Sequence, residues 1–199
     1  HRRANVKRLI VAALLSSVIA LPAVAALKQG EKAPDFSAQA SLAGKEFHFS
    51  LKDALKKGPV VVYFYPSAYT GGCDAEAHAF AEDADKFAAA GAQIVGVSAD
   101  SLDRLKVFSA DPEFCASKFP IASDADTKIA ATYNLKVTPP RAGAKDVRGN
   151  EIGHGFIERV TFVVGRDGKV LSTMSSADDH LSPVDHVDKS LALVQSLKK

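Results

Sequence analysis

The body of the chain alternates between short continuous apolar runs and amphipathic stretches. Val60–Tyr65 contains only β-branched and aromatic residues, which is typical of a strand covered on both faces. Ile94–Val97 predicts a second buried strand. Between these strands, Ala75–Ala90 repeats apolar residues at helical spacing and predicts an amphipathic helix that ends at Gly91.

Spacing and turn residues predict further elements on either side of this unit. They are an edge hairpin in Phe36–Leu51, a helix at Leu102–Phe108 that Asp111-Pro112 interrupts, a hairpin of Val160–Val164 and Val170–Ser175, and a C-terminal helix that a capping box begins at Ser182. Lys136–Glu158 is rich in Gly and Pro and has no clear period, so we expect a long surface loop that could act as a lid. The order of elements predicts an α/β fold, a thioredoxin-like sandwich in which helices flank a central mixed β-sheet that begins with an N-terminal β-hairpin.

The first 25 residues differ in composition from the rest of the chain. Four Lys and Arg residues precede the apolar run Leu9–Ala20, and the small residues Ala23 and Ala25 follow it. This order is typical of a cleaved export signal, and the run is short for a membrane span of about 20 residues. We therefore predict that residues 1–25 are removed on export to the bacterial periplasm. Residues 26–199 are predicted to form a single domain with no stable membrane association after cleavage; an uncleaved anchor is the alternative.

Composition excludes several functional classes once the predicted signal is set aside. The chain has 25 Lys and Arg against 23 Asp and Glu, and the first 25 residues hold four of the basic residues and none of the acidic ones. The remaining 21 basic and 23 acidic residues give a net charge of −2. This balance predicts neither nucleic acid nor an anionic membrane as a partner. Two cysteines cannot supply a disulfide-dense framework.

The candidate chemistry lies where the first buried strand ends. The segment Pro66–Cys73 links this strand to the amphipathic helix, so Cys73 is expected in or just before the first helical turn. Free N–H groups and the helix dipole at this end favour an anion and predict a lowered pKa for the Cys73 thiol. Asp74 and Glu76 oppose a thiolate, so a cation from elsewhere must outweigh them if Cys73 is reactive. An inert, buried cysteine is the alternative.

Motifs around this segment resemble those of the peroxiredoxins. Pro66, Thr70 and Cys73 form the pattern P-x-x-x-T-x-x-C directly after a strand that ends in FYP. This pattern is similar to the active-site signature of that AhpC/TSA-like, thioredoxin-fold family. The flanks resemble the peroxiredoxin Q (bacterioferritin comigratory protein) subclass over roughly Gly30–Ser175. The matching stretches are Gly30–Phe36, Glu76, Gly96–Asp100, Ser123-Asp124, Ile129–Leu135, Arg159–Val164 and Asp167–Lys169.

The resemblance implies a thiol-dependent peroxidase that needs no cofactor and no metal. Cys73 would be the peroxidatic cysteine, which attacks a hydroperoxide and becomes a sulfenic acid. Thr70 would bond the sulfur and the incoming oxygen, Pro66 would shield the thiolate from water, and Arg159 would supply the missing cation. The implied substrates are hydrogen peroxide and organic hydroperoxides. The implied partner is a thioredoxin-like or other dithiol reductant, and the implied state is a monomer.

The second cysteine decides the catalytic cycle. Many members of the subclass place a resolving cysteine five residues after the first, where this chain has His78. Other members use a cysteine in a later helix, so the resemblance implies that Cys115 attacks the sulfenic acid of Cys73 and forms an intramolecular disulfide. Two alternatives stay open: a one-cysteine mechanism in which Cys115 is a bystander, and a permanent structural disulfide, which is common in exported proteins.

Metal delivery is an alternative of another functional class, because some exported thioredoxin-fold proteins carry copper on cysteine and histidine. The candidate ligands are Cys73, His78, His154, His180 and His186. Cys73 and His78 lie five residues apart, about 140° around a helix, so they do not converge on one ion. The other histidines are expected to be solvated. The absence of C-x-x-C from the sequence disfavours a disulfide reductase.

Overall fold

The computed structural model describes residues 19–20 and 24–198. Most of the predicted export signal, residues 1–25, lies outside the described residues, and the signal stays a prediction. Among the residues that are described, no helix combines the length and the apolar character needed to cross a bilayer.

The described part of the chain alternates strands and helices from residue 37 onwards. In chain order the elements are β1 Ser37–Leu42, β2 Lys45–Ser50, α1 Leu51–Leu55, β3 Val60–Phe64, α2 Gly71–Ala89, β4 Gln93–Ser98, α3 Leu102–Ala110, β5 Ile121–Ser123, α4 Lys128–Thr132, β6 Val137–Thr138, β7 Phe156–Ile157, β8 Val160–Val164, β9 Val170–Ser175, α5 Ser176–Asp179 and α6 Pro183–Ser196.

A seven-stranded mixed sheet in the order β2-β1-β5-β4-β3-β8-β9 forms the centre of the molecule. Strands β3, β4 and β5 are parallel, whereas β1, β2, β8 and β9 pair antiparallel with their neighbours. Alternate residues of β3 enter different cores: Val60, Val62 and Phe64 pack on one face of the sheet, and Val61 and Tyr63 on the other. The continuous apolar run of β3 is explained by burial on both faces. The predicted α/β sandwich with its N-terminal hairpin is confirmed.

Several short elements were not predicted, and one helix is longer than predicted. Helix α2 begins at Gly71, four residues before the expected start, because Thr70 is extended and serves as its N-cap. Helices α1, α4 and α5 and strand β5 have three to five residues each, too few to show a hydrophobic period. The capping box of α6 forms as expected, with Ser182 and Asp185 bonding each other's backbone N–H groups.

The segment 136–158 is tied to the body of the protein rather than free to swing as a lid. Strands β6 and β7 close its base as a two-residue antiparallel pair. In its middle, the buried Asp146 accepts hydrogen bonds from Arg104 at 3.0 Å and from Arg148 at 3.1 Å. Near its end, His154 Nε2 lies 2.8 Å from Asp100 Oδ1. These charged contacts anchor the segment beside the end of β3.

Candidate active site

The sheet topology brings three chain segments to one edge. Strand β8 runs antiparallel to β3 and pairs Val160 with Phe64, so Arg159 lies beside the end of β3. Strand β4 runs parallel to β3, so the residues after β4, including Asp100, reach the same edge. The segment from Pro66 to Cys73 starts at this edge and leads into α2. Residues far apart in sequence therefore meet around the first turn of α2.

Cys73 lies in this first turn and is the centre of a three-residue cluster. Its side chain is 2% exposed. Arg159 Nη2 lies 3.2 Å from the Cys73 sulfur, and Arg159 Nη1 lies 3.1 Å from Glu76 Oε1. Glycine at position 72 permits this approach, because a Cβ there would lie 3.1 Å from Arg159 Nη2 and 3.3 Å from Pro183 Cγ. The cation that the sequence required is thus in contact with the sulfur.

Thr70 and Pro66 flank this cluster. The Thr70 hydroxyl donates to the Ser67 carbonyl at 2.8 Å, and its presence beside the sulfur lowers the pKa of Cys73. Pro66 follows the end of β3 by two residues and is half-buried. Its role as a shield of the thiolate stays a prediction.

Burial raises the pKa of the Cys73 thiol above its ordinary value. The Arg159 guanidinium, the Thr70 hydroxyl and the Ser67 backbone favour the thiolate but do not outweigh the loss of water around the sulfur. The lowered pKa expected from the helix end is therefore wrong for this closed arrangement. The physical reason is that Arg159 and Pro183 cover the first turn of α2, where an open helix end would be hydrated.

Glu76 competes with Cys73 for the same guanidinium. Its side chain is fully buried, and its Oε2 atom has no hydrogen-bond partner among the described residues. Burial raises the pKa of Glu76 to about 8 although the Arg159 charge lowers it. The Glu76 carboxyl therefore ionises less readily than a free one, and once ionised it competes with the sulfur for the single positive charge of Arg159.

A second cluster, which sequence reasoning missed, fixes the backbone of the Cys73 segment. The Ala68 N–H donates to Asp100 Oδ2 at 2.8 Å, and the Ala68 carbonyl accepts from Arg104 Nη2 at 3.0 Å. Burial opposes ionisation of Asp100, yet hydrogen bonds and charge from His154 and a hydrogen bond from Ser98 hold its pKa at about 2. The position of Asp100 just after a strand parallel to β3 was the signal that could have identified it.

Cys115 lies in the irregular segment that follows α3. It is fully buried and, like Cys73, is a free thiol in the structure. Both cysteines belong to the same apolar cluster on one face of the sheet. Burial, together with the nearby Asp111 and Asp74, raises the pKa of Cys115 well above its ordinary value. Cys115 is therefore a neutral thiol in this arrangement.

Two histidines expected to be solvated are instead bonded within the protein. His186 is fully buried between the Thr161 and Ser176 hydroxyls, at 2.8 and 2.9 Å. His154 bonds Asp100, as described above. The expectation was wrong because polar loop sequence and helix position do not reveal burial. Within the described residues, His, Cys, Asp and Glu side chains form no group of three or more suited to holding a metal ion.

Comparisons with known proteins agree with this arrangement. A sequence profile of the AhpC/TSA family matches residues 29–173. The chain is 33% identical over 159 residues to chloroplastic peroxiredoxin Q of Sedum lineare, which covers 75% of each protein. It superposes on peroxidoxin BcpB of Mycobacterium tuberculosis with a TM-score of 0.69 and 31% identity, over 86% of this chain and 98% of that one.

A further solved structure points to the same subclass. The bacterioferritin comigratory protein of Xanthomonas campestris superposes with a TM-score of 0.62 and 30% identity, over 81% of this chain and 92% of that one. Profile, relatives and fold agree with the motif around Cys73. The chain therefore belongs to the AhpC/TSA family, and within it to the peroxiredoxins of the Q, or bacterioferritin comigratory protein, type.

Proposed function

We propose that this peroxiredoxin reduces hydroperoxides with Cys73 as the attacking sulfur and Cys115 as the resolving thiol. The contact between Arg159 and the Cys73 sulfur, at 3.2 Å, carries the proposal. A guanidinium at this distance can stabilise a thiolate and can donate to an oxygen that gains negative charge beside it.

In the first step the Cys73 thiolate attacks one oxygen of the O–O bond. An S–O bond forms, the O–O bond breaks, and the leaving oxygen takes a proton, so that the products are a Cys73 sulfenic acid and water or an alcohol. Substrate entry brings polar groups to the sulfur and offsets the burial that raises its pKa. The attraction of Arg159 then favours the thiolate. Arg159, Thr70 and the N–H groups of the first turn are the donors placed to stabilise charge on the two oxygens.

In the second step the Cys115 thiol attacks the sulfur of the Cys73 sulfenic acid. An S–S bond forms, the S–O bond breaks, and water leaves. Both cysteines are buried, and Cys73 is held in a helical turn, so we expect both segments to open locally for the bond to reach disulfide geometry. An external dithiol then reduces the disulfide and returns both thiols.

Organic hydroperoxides are included among the proposed substrates for two reasons. The similar Xanthomonas campestris protein is described by its alkyl peroxide reduction activity. In this chain, apolar and aromatic residues surround Cys73 and could accept an alkyl group. A thioredoxin-like dithiol is the proposed reductant, and a monomer is the proposed state.

We propose further that the protein works in the bacterial periplasm after residues 1–25 are removed. The basic start, the apolar run and the small residues before Ala26 support this location. In that compartment the Cys73–Cys115 pair would depend on a dithiol donor to remain reduced, since disulfides persist there.

Substitution of each cysteine tests the proposed cycle. With hydrogen peroxide and a dithiol donor, we expect Cys73→Ser to abolish peroxide consumption, because serine supplies no thiolate. Cys115→Ser should consume one equivalent of peroxide per molecule and then turn over at least about tenfold more slowly, because no local thiol resolves the sulfenic acid. Peroxide consumption and mass spectrometry of the intact protein measure both effects.

Two outcomes would contradict the proposal. Full turnover by Cys73→Ser would remove the assigned nucleophile. Unimpaired turnover by Cys115→Ser, together with no disulfide in the peroxide-treated wild type, would show a one-cysteine mechanism. A Cys73–Cys115 disulfide that is present before peroxide is added and resists mild dithiol reductant would instead indicate a structural bridge.

A further inference from the structure

Tyr69 lies between the segment that holds Cys73 and the segment that holds Cys115. We propose that Tyr69 is a positioning residue that couples these two segments, so that they open together when the disulfide forms. This inference rests on the proposed resolving role of Cys115. Tyr69 would then link the opening of the Cys73 segment to the opening of the Cys115 segment, both of which precede disulfide formation.

The side chain of Tyr69 is bound to the segment after α3. Its hydroxyl donates to Asp111 Oδ2 at 3.0 Å. Its ring meets Phe114 edge-on, with centroids 5.5 Å apart, and meets Phe108 in the same way at 5.0 Å. The side chain is 2% exposed. Tyr69 is thus packed against residues on both sides of the Pro112 break, directly before Cys115.

The backbone of Tyr69 belongs to the Cys73 segment. It precedes Thr70, the N-cap of α2, and its φ is +59°. A bulky aromatic residue rarely adopts this left-handed conformation, so surrounding contacts must hold it in place. Those contacts include a hydrogen bond from the Val147 N–H to the Tyr69 carbonyl at 2.9 Å and the Arg148 guanidinium, which lies 3.6 Å from the ring centroid. Release of the ring would let this backbone relax, and the first turn of α2 with it.

The Cys115 segment has the same kind of conformation. Ala116 and Ser117, directly after the cysteine, have φ values of +52° and +59°. Asp111 organises this segment: its Oδ1 accepts from the Glu113 N–H at 3.0 Å, and its carbonyl accepts from the Ala116 N–H at 2.9 Å. Its other carboxylate oxygen holds Tyr69. Asp111 therefore supports both segments: its side chain bonds Tyr69 and Glu113, and its carbonyl bonds Ala116. We expect loss of the Tyr69–Asp111 bond to weaken both.

The coupling has a consequence for reactivity. While the segments are closed, Cys115 is a buried neutral thiol. When they open, both sulfurs become mobile at the same time. The closed arrangement keeps Arg159 in contact with Cys73 for the attack on the hydroperoxide. The coupled opening then permits the Cys73–Cys115 disulfide to form.

Tyr69→Phe tests this coupling because it removes only the hydroxyl. After one equivalent of hydrogen peroxide, samples are quenched at intervals with a thiol-alkylating reagent, and mass spectrometry follows sulfenic acid and disulfide. We expect disulfide formation to be roughly fivefold faster than in the wild type, the effect of one lost hydrogen bond. Sulfenic acid formation should change by a smaller factor. The matched control is Tyr133→Phe, which removes a buried hydroxyl that donates to the Pro34 carbonyl at 2.7 Å in the other core; both rates should stay at wild-type values.

Hydrogen exchange of the reduced protein provides a readout that does not depend on the disulfide. Tyr69→Phe should raise amide exchange several-fold in residues 70–74 and in residues 111–117, whereas Tyr133→Phe should not. Faster exchange in only one segment would overturn the coupling. Where the wild type forms the disulfide, an unchanged or slower rate of formation in Tyr69→Phe would also overturn it. An equal loss in the rates of both steps would also overturn it, because that result indicates general damage to packing. If exchange rises in both segments but no Cys73–Cys115 disulfide forms even in the wild type, the coupling stands and the resolving role of Cys115 fails.

Discussion

Arg159 offers one positive charge to two acidic groups, the Cys73 thiol and the Glu76 carboxyl. Its two terminal nitrogens contact them at 3.2 and 3.1 Å. Since all three side chains are buried or nearly so, the two ionisations are coupled, and the first anion is shared between sulfur and carboxylate. The ionisation of Glu76 therefore determines how strongly the Arg159 charge stabilises the Cys73 thiolate.

Glu76→Gln should lower the pKa of Cys73, because the competing carboxylate is removed while an oxygen that can accept from Arg159 stays. The rate of Cys73 alkylation against pH, measured in a Cys115→Ser background, reports this value. The wild-type profile should be broad, since two groups share the charge, and the variant profile should follow a single ionisation. Glu82→Gln, at an exposed position of the same helix, is the matched control. A higher Cys73 pKa in Glu76→Gln would refute the competition.

Helix α6 completes the site from the other end of the chain. Pro183, its first residue, covers Gly72 in the first turn of α2. One turn later, His186 bonds Thr161 in β8 and Ser176 in α5. Burial, and then the charge of Arg159, lower the pKa of His186 to about 4. His186 therefore attaches α6 to β8, the strand that directly follows Arg159. The lowered pKa means that His186 makes these contacts as a neutral imidazole at neutral pH.

This neutral histidine predicts a loss of stability in acid. The pKa of His186 is lower in the folded protein than in the unfolded chain, so between about pH 6.5 and pH 4 only the unfolded chain binds this proton. The free energy of unfolding therefore falls as the pH falls through this range. His186→Gln should be less stable than the wild type at pH 7. Its free energy of unfolding should then decline by on the order of 2 kcal/mol less between pH 7 and pH 4. Urea unfolding at several pH values measures the difference, and His48→Gln, at an exposed strand position, is the control. Parallel pH curves for the wild type and His186→Gln would show that His186 does not titrate in this way.

At the scale of the whole molecule, the fold includes residues directly after the proposed cleavage point. Leu27 is buried in the core, and the Gly30 and Ala33 N–H groups donate to the carbonyls of Val170 and Gly168, each at 2.8 Å. The described residues therefore pack into the fold from Leu27 onwards, which is consistent with the proposed cleavage after Ala25.

A chain that begins at Ala26 should have the same thermal midpoint as the full chain. A chain that begins at Phe36 should unfold roughly 5–10 °C lower, because it loses the burial of Leu27 and Ala33 and the hydrogen bonds to the β8–β9 hairpin. Thermal unfolding followed by circular dichroism compares the three proteins. N-terminal sequencing of the protein from a periplasmic extract tests the cleavage itself. An equal midpoint for the chain that begins at Phe36, or an uncut N-terminus in the extract, would contradict this division of the chain.

The amino-acid sequence by itself determined the α/β sandwich, because the buried runs Val60–Tyr65 and Ile94–Val97 and the amphipathic helix between them are local patterns. It also determined the family and the candidate residue Cys73, because the P-x-x-x-T-x-x-C motif lies within eight consecutive residues. Only the tertiary structure decided the electrostatics of the site. Arg159 meets Glu76 and Cys73 across 83 and 86 residues of chain, and the burial that raises the Cys73 pKa comes from elements packed around α2. Tyr69, likewise, could be linked to Asp111 only once the fold had brought the two segments together, because no local pattern records a contact between distant residues.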